Sequence, residues 1–304
     1  MAPVPGQGLA TDVPMVGRDL ELGRLVDRLA RAEAGRGGVV LVAGDPGIGK
    51  TRLVEELSQR ARQRGATVLS GRCFEGEWAP PLASFAEGLG AHVLTVGPAE
   101  LRGDLGSGAA PLAQLVPAVR QVLPDVGEPA PVEPNEDRFR LLDAVAQFLI
   151  ARSQRAPVLL CLDDLHWADK GTVALLRYLA GLSPRHRLLI LGAYRDVDLE
   201  RGHPFGDALG VLPRETDYEH IALHGLDAEG TTQLLSALGG QDVDEKVGAA
   251  WLRETDGNPF FIRELLRHFV EEGKVYRGPD GRWTTDRPLR ELGVPKGVRD
   301  VIAR

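Results

Sequence analysis

Val39-Val40-Leu41-Val42-Ala43-Gly44-Asp45-Pro46-Gly47-Ile48-Gly49-Lys50-Thr51 decides the fold of this 304-residue chain. The run Val39 to Val42 is short and unbroken in its apolar character, as expected of a strand in a parallel sheet covered on both faces. Gly44 to Thr51 then matches the pattern GxxxxGK[ST], and the helical spacing of Lys50 to Arg64 follows at once. Glycines lack the Cβ that would keep an anion away from backbone N–H groups, and the first turn of a helix adds the positive end of its dipole. Gly44, Asp45, Pro46, Gly47, Ile48 and Gly49, with Arg52 beside them, are therefore expected to cradle the phosphates of a nucleotide. Lys50 is expected to reach the β and γ phosphates, and the Thr51 hydroxyl to ligate Mg²⁺. With a formal net charge of -7, the chain offers no general basic footprint, so this loop must supply its own local positive potential.

Outward from the loop, strand and helix patterns alternate. Leu22, Leu25, Val26 and Leu29 mark a helix from Asp19 that stops at the Gly35 to Gly38 cluster. Beyond the loop, short strands are expected at Thr67–Leu69, Val158–Leu162, Leu188–Ala193 and Ile221–Leu223, with helices at Glu136–Arg152 and Thr172–Leu182 among them. The alternation predicts an α/β P-loop NTPase with a doubly wound parallel sheet. Residues 71–81 read as irregular, and Gly103 to Pro134, rich in Gly and Pro around one short helix near Leu112–Leu123, reads as a surface insertion. Asp227 is expected to cap a helix to Leu238, and Glu245–Glu254 and Pro259–Glu272 to form two more, together a small helical lid. Val275 to Thr284 has the pattern of a hairpin, and Gly297 to Arg304 begins an amphipathic helix with no stop signal. The expected organisation is a flexible leader (1–14), a nucleotide-binding α/β domain (15–213), a helical lid (214–274), and a hairpin leading into a further domain (275–304) that reads as cut short.

A second acidic signal stands at Asp163-Asp164, delivered by Val158-Leu159-Leu160-Cys161-Leu162 to the carboxyl end of a strand, the rim where ligands of such sheets bind. Asp163 fits an acid that holds Mg²⁺, and Asp164 one that orients or deprotonates an attacking water. An ordinary Asp-Asp turn is the plainer reading of the pair. His166 reads as structural. Cys73 and Cys161 match no metal spacing and read as free thiols, which points to a reducing, cytoplasmic setting. The acidic balance argues against direct nucleic acid contact. No apolar run approaches the roughly 20 residues of a membrane span, and Met1 to Pro14 lacks a signal-peptide pattern.

Taken in order, Val16-Gly17-Arg18, the Gly44–Thr51 loop, Gly71-Arg72-Cys73, Leu162-Asp163-Asp164-Leu165-His166-Trp167-Ala168-Asp169, Ala193-Tyr194-Arg195-Asp196 and Gly257-Asn258-Pro259-Phe260-Phe261 resemble the motif series of STAND-class AAA ATPases. The resemblance is closest to the N-terminal ATPase module of large LuxR-type transcriptional regulators. It implies that Val16, Gly17 and Arg18 belong to the ATP site, the first two against the adenine edge; the rival reading is a helix-preceding turn capped by Asp19. It implies a γ-phosphate-sensing role for Arg195, whose rival is a surface salt bridge. It also implies contact of Pro259 with the base, although Asn258-Pro259 is an equally good helix start. Val294 to Arg299 resembles the start of a winged-helix domain.

These expectations combine into a nucleotide switch with Lys50, Asp164 and Arg195 as its catalytic and sensing groups. ATP and ADP with Mg²⁺ are its cofactors, held through Thr51 and Asp163. Its partners are regulatory and effector domains outside this chain, with ATP-dependent self-association as a further expectation. Motor-type relatives usually carry Glu where this chain has Asp164, and the shorter acid points to slow hydrolysis. The alternative is a P-loop kinase or turnover ATPase acting on a small substrate, for which no acceptor motif is visible.

Overall fold

The computed structural model describes residues 13–76, 80–196, 203–279 and 282–285. They gather into two compact units: the described parts of Met1–Asp19, Asp45–Gly49 and Leu223–Arg304 form the smaller, and Leu20–Gly44 with Lys50–Ala222 the larger.

The larger unit is built on strands β1 (Gly38–Ala43), β2 (Thr67–Arg72), β3 (Val158–Asp163), β4 (Leu188–Tyr194) and β5 (Tyr218–Ala222). All pair in parallel, in the spatial order β2-β3-β4-β1-β5. Every residue of β1 and β4 is buried, which is why these strands read as continuous apolar runs, whereas the edge strands β2 and β5 are half-exposed. The edges are longer than their sequence predicts. Gly71 and Arg72 extend β2 because they pair in register with Leu162 and Asp163. A side chain at Gly71 would collide with the backbone of Ser84, whose carbonyl oxygen lies 1.7 Å from the missing Cβ position, so only glycine fits where the next helix crosses the strand. At the other edge, Tyr218–Ala222 pairs with Val39–Ala43 and belongs to the sheet, so the chain parts after Ala222 rather than after residue 213.

Helices α1 (Asp19–Glu33), α2 (Lys50–Gln63), α3 (Ala83–Val93), α4 (Pro98–Leu105), α5 (Ala109–Leu115), α6 (Ala118–Val122), α7 (Pro134–Arg155), α8 (Lys170–Leu182), α9 (Pro204–Leu209) and α10 (Leu212–Glu215) complete this unit. The stretch from Gly103 to Pro134, expected to be a surface insertion, contributes to the core instead. Leu105, Leu112, Ala113, Val116, Val119 and Leu123 are all buried in the same apolar cluster as the sheet. Several short helices replace the single one expected, because Gly106 and Pro117 break the segment while its apolar residues still recur at helical spacing. An ion cluster fixes the segment to α7: Asp104, almost fully buried, accepts from Arg152 Nη1 at 3.0 Å and from Arg155 Nε at 2.7 Å.

The smaller unit consists of α11 (Ala228–Gly239), α12 (Glu245–Thr255), α13 (Pro259–Glu271) and an antiparallel hairpin of β6 (Val275–Arg277) and β7 (Trp283–Thr285). Leu234, Leu238, Trp251, Ile262 and Phe269 form its core, with Val16 against them. Caps hold where the sequence placed them: Asp227 accepts from Gly230 N at 2.8 Å and Asn258 from Phe260 N at 3.0 Å. The expected leader as far as residue 12, the Val294 to Arg299 stretch and the helix from Gly297 lie outside the described residues.

Candidate functional site

In the larger unit, the parallel order brings the carboxyl ends of β3, β4 and β1 side by side, and the sequence places Asp163-Asp164, Arg195 and Gly44 at those three ends. Lys50 opens α2 with its side chain almost wholly buried, and its Nζ donates to the Gly44 carbonyl at 2.8 Å. An ammonium group in so little water needs an acceptor, and the loop's own first carbonyl provides one. One residue on, the Thr51 hydroxyl donates to Asp163 Oδ2 at 2.8 Å, joining the start of α2 to the end of β3. Arg52 is exposed.

Asp164 is a conformational exception. Its φ of 55° lies in the left-handed region that non-glycine residues rarely adopt, and its backbone N–H donates to the Asp163 carboxylate at 2.9 Å. Its own carboxylate is taken by an arginine: Arg72 Nε and Nη2 lie 2.7 and 2.6 Å from Asp164 Oδ2. This pair, and the coulombic pull of Asp163, push the Arg72 pKa above its ordinary value. The contact follows from register, since Arg72 stands directly opposite Asp163 where β2 meets β3. Sequence reading quoted Arg72 within a motif and gave it no site role.

The rest of the acidic motif builds the scaffold. His166 is buried, packs its ring against Trp167 in a tilted pair with centroids 5.1 Å apart, and lies 3.9 Å from Asp164. Asp169 caps α8 by accepting from Gly171 N and Thr172 N at 2.7 and 3.1 Å, and it also accepts from Leu82 N at 3.2 Å. Burial alone would raise the Asp169 pKa, but these donors and the Thr172 hydroxyl hold it below the usual carboxylate value. Arg195 follows the last residue of β4 and is half-buried. Neither cysteine is a reactive group: both thiols are free and buried, and burial pushes Cys73 up to about 12 and Cys161 to about 11.

The middle of the glycine loop belongs to the smaller unit, with Val16, Gly17, Arg18 and Pro259. Gly47 and Gly49 have φ of 75° and 105°, the backbone freedom that the loop's path requires. The buried Arg18 guanidinium donates through Nη2 to Ile48 O at 3.1 Å and to His224 O at 2.6 Å. Asn258 Nδ2 donates to Pro46 O at 2.9 Å, and a Cβ at Gly47 would lie 2.5 Å from Phe260 Cβ. Gly17, with φ of 62°, lies so close to Leu226 that a Cβ there would come within 2.9 Å of that side chain. Pro259 takes the first helical position of α13, with Asn258 as its cap. From sequence Asn258 reads only as part of a helix start, whereas its amide also reaches the Pro46 carbonyl.

A sequence profile of the AAA ATPase domain matches residues 14–191. An uncharacterized protein of Rhizobium meliloti is 28% identical over 271 residues, which cover 84% of this chain and 25% of that protein. The chain thus spans about a quarter of the length of this curated relative. Among solved structures, a STAND signal transduction ATPase with a tetratricopeptide repeat sensor from Pyrococcus horikoshii is similar at a TM-score of 0.47 and 17% identity, over 86% of this chain and 32% of that one. AMPPCP-bound DnaA from Aquifex aeolicus is similar at a TM-score of 0.46 and 16% identity, over 89% of this chain and 67% of that one.

Proposed function

Since this chain belongs to the AAA ATPase domain family, as the match over residues 14–191 establishes, we propose that it is an ATP-binding, slowly hydrolysing switch module of a larger signal-transduction or transcription-regulating protein. The observation that carries this reading is the link of Thr51 Oγ1 to Asp163 Oδ2 at 2.8 Å beside a glycine loop rooted by Lys50. A hydroxyl and a carboxylate oxygen so close together suit a small, hard cation, so Thr51 and Asp163 are the residues that would hold Mg²⁺. Bound there, Mg²⁺ supplies positive charge against the nucleotide phosphates. Gly44 to Gly49 cradle the phosphates, and Lys50 exchanges the Gly44 carbonyl for a phosphate oxygen. Arg52 lies next to the loop, Arg195 senses the γ phosphate, and Val16, Gly17, Arg18 and Pro259 belong to the same nucleotide site.

Slow hydrolysis is supported by the state of Asp164. A carboxylate whose Oδ2 carries two guanidinium donors is poorly placed to take a proton from water, so Asp164 acts as the water-orienting group only when Arg72 lets go. A switch needs a ligand that contacts its two states differently, and the γ phosphate is the element by which ATP differs from ADP. ATP-dependent self-association, attachment to effector domains outside this chain, and a cytoplasmic setting complete the proposal. Among the described residues no helix is long and apolar enough to cross a membrane.

Calorimetry with ADP and ATP in the presence of Mg²⁺ tests the reading on wild type and Lys50→Ala. Wild type is expected to bind both, and the variant to lose at least about tenfold in affinity for ATP, the scale of one charge-assisted contact. Equal affinity in the two proteins would refute the site. Phosphate release at the rate of a typical kinase, about 1 to 100 per second, would favour a turnover enzyme over a switch.

A further inference from the structure

We propose that Asn258 and Arg18 orient the phosphate loop: by fixing its Pro46 and Ile48 carbonyls, they turn the Gly47 and Gly49 N–H groups the opposite way, toward an anion. This inference rests on the nucleotide reading above and assigns the loop its positioning residues.

In a planar trans peptide the carbonyl and the following N–H point in opposite directions. The Pro46 carbonyl shares its peptide with the Gly47 N–H, and the Ile48 carbonyl with the Gly49 N–H. Asn258 Nδ2 holds Pro46 O at 2.9 Å, and Arg18 Nη2 holds Ile48 O at 3.1 Å. Two alternate peptides are thus clamped from the carbonyl side, and both their N–H groups must leave on the other. Left alone, glycines at φ of 75° and 105° are free to let such peptides flip. A third contact limits that freedom, because Phe260 packs where a Gly47 side chain would stand.

Each clamp is itself anchored. Asn258 is buried, and its Oδ1 accepts from Phe260 N at 3.0 Å, so one amide group both caps α13 and grips the loop. Arg18 is buried and divides Nη2 between Ile48 O and His224 O. Donors aimed in advance at the place where charge will sit bind it without first having to be ordered, which raises affinity for anything carrying a β phosphate. ADP and ATP share that group, so both benefit equally.

Asn258→Ser in the full chain separates the two duties. Serine caps a helix as well as asparagine does, and adds no charge, but it lacks the amide donor that reaches Pro46 O. In nucleotide-free protein, ¹⁵N relaxation should give Gly47 and Gly49 amide order parameters near about 0.85 in wild type and below about 0.6 in the variant. Calorimetry should show ADP and ATP both weakened, by about tenfold and by the same factor. Unchanged order parameters, or a loss confined to ATP, would overturn the inference. If wild type binds neither nucleotide, the functional proposal fails, while the relaxation measurement still decides whether the loop is clamped. Should Asn258→Ser fail to fold, Arg18→Met, which keeps the apolar stem and removes the donors, is read by the same two measurements.

Discussion

Arg72 ends one strand and Asp164 follows the last residue of its neighbour, and the pair they make sets how the acid can behave. A charge-assisted hydrogen bond contributes about 1.5–3 kcal/mol, and the half-exposed guanidinium brings solvent screening that favours the lower figure. Arg72→Ala is expected to free the carboxylate and raise the single-turnover rate of ATP hydrolysis by about tenfold, with nucleotide affinity little changed. A slower rate in that variant would mean that Arg72 aligns Asp164 for chemistry rather than restraining it. Reading residues in order singles out the loop glycines, Lys50, Thr51 and the acid pair because their spacing is local. It gives no role to Arg72, and to Asn258 only that of a helix start; the partners they find lie 92 and 212 residues away along the chain. A fold supplies such contacts through strand register and helix placement, which no local pattern encodes.

Among elements, the segment from α4 to α6 shows where composition misleads. Glycine and proline punctuation describes how often a chain turns, while burial depends on whether the residues between the turns share a face. Leu112 is fully buried in the cluster that includes the sheet, so Leu112→Ala is expected to cost about 2–5 kcal/mol in denaturant unfolding, where a true surface loop would tolerate the change within about 0.5 kcal/mol. Strands β1 and β4, buried throughout, and β3, buried as far as Leu162, were legible because parallel strands covered on both faces need uninterrupted apolar runs. The edges β2 and β5 were read short because their outer residues are polar and their length is set by pairing with a neighbour. The helices of the smaller unit were legible from their caps, since Asp227 and Asn258 advertise helix starts directly.

For the molecule as a whole, a ligand that binds the folded state alone stabilises it by about 2.7 kcal/mol at a free concentration one hundred times its Kd. For a chain of this size that corresponds to a rise in Tm of roughly 5 °C. Saturating ADP or ATP with Mg²⁺ should each produce a rise of that order in wild type and little in Lys50→Ala; no shift with either nucleotide in wild type would remove the basis for a switch.

The division of the chain into discontinuous units also has a consequence in time. Pro46 and Asn258 are 212 positions apart, so during synthesis the loop leaves the ribosome long before the amide that holds it. A nascent polypeptide that has reached only the last strand of the sheet carries every residue from Gly44 to Thr51, and still waits for α13 to give that loop its shape.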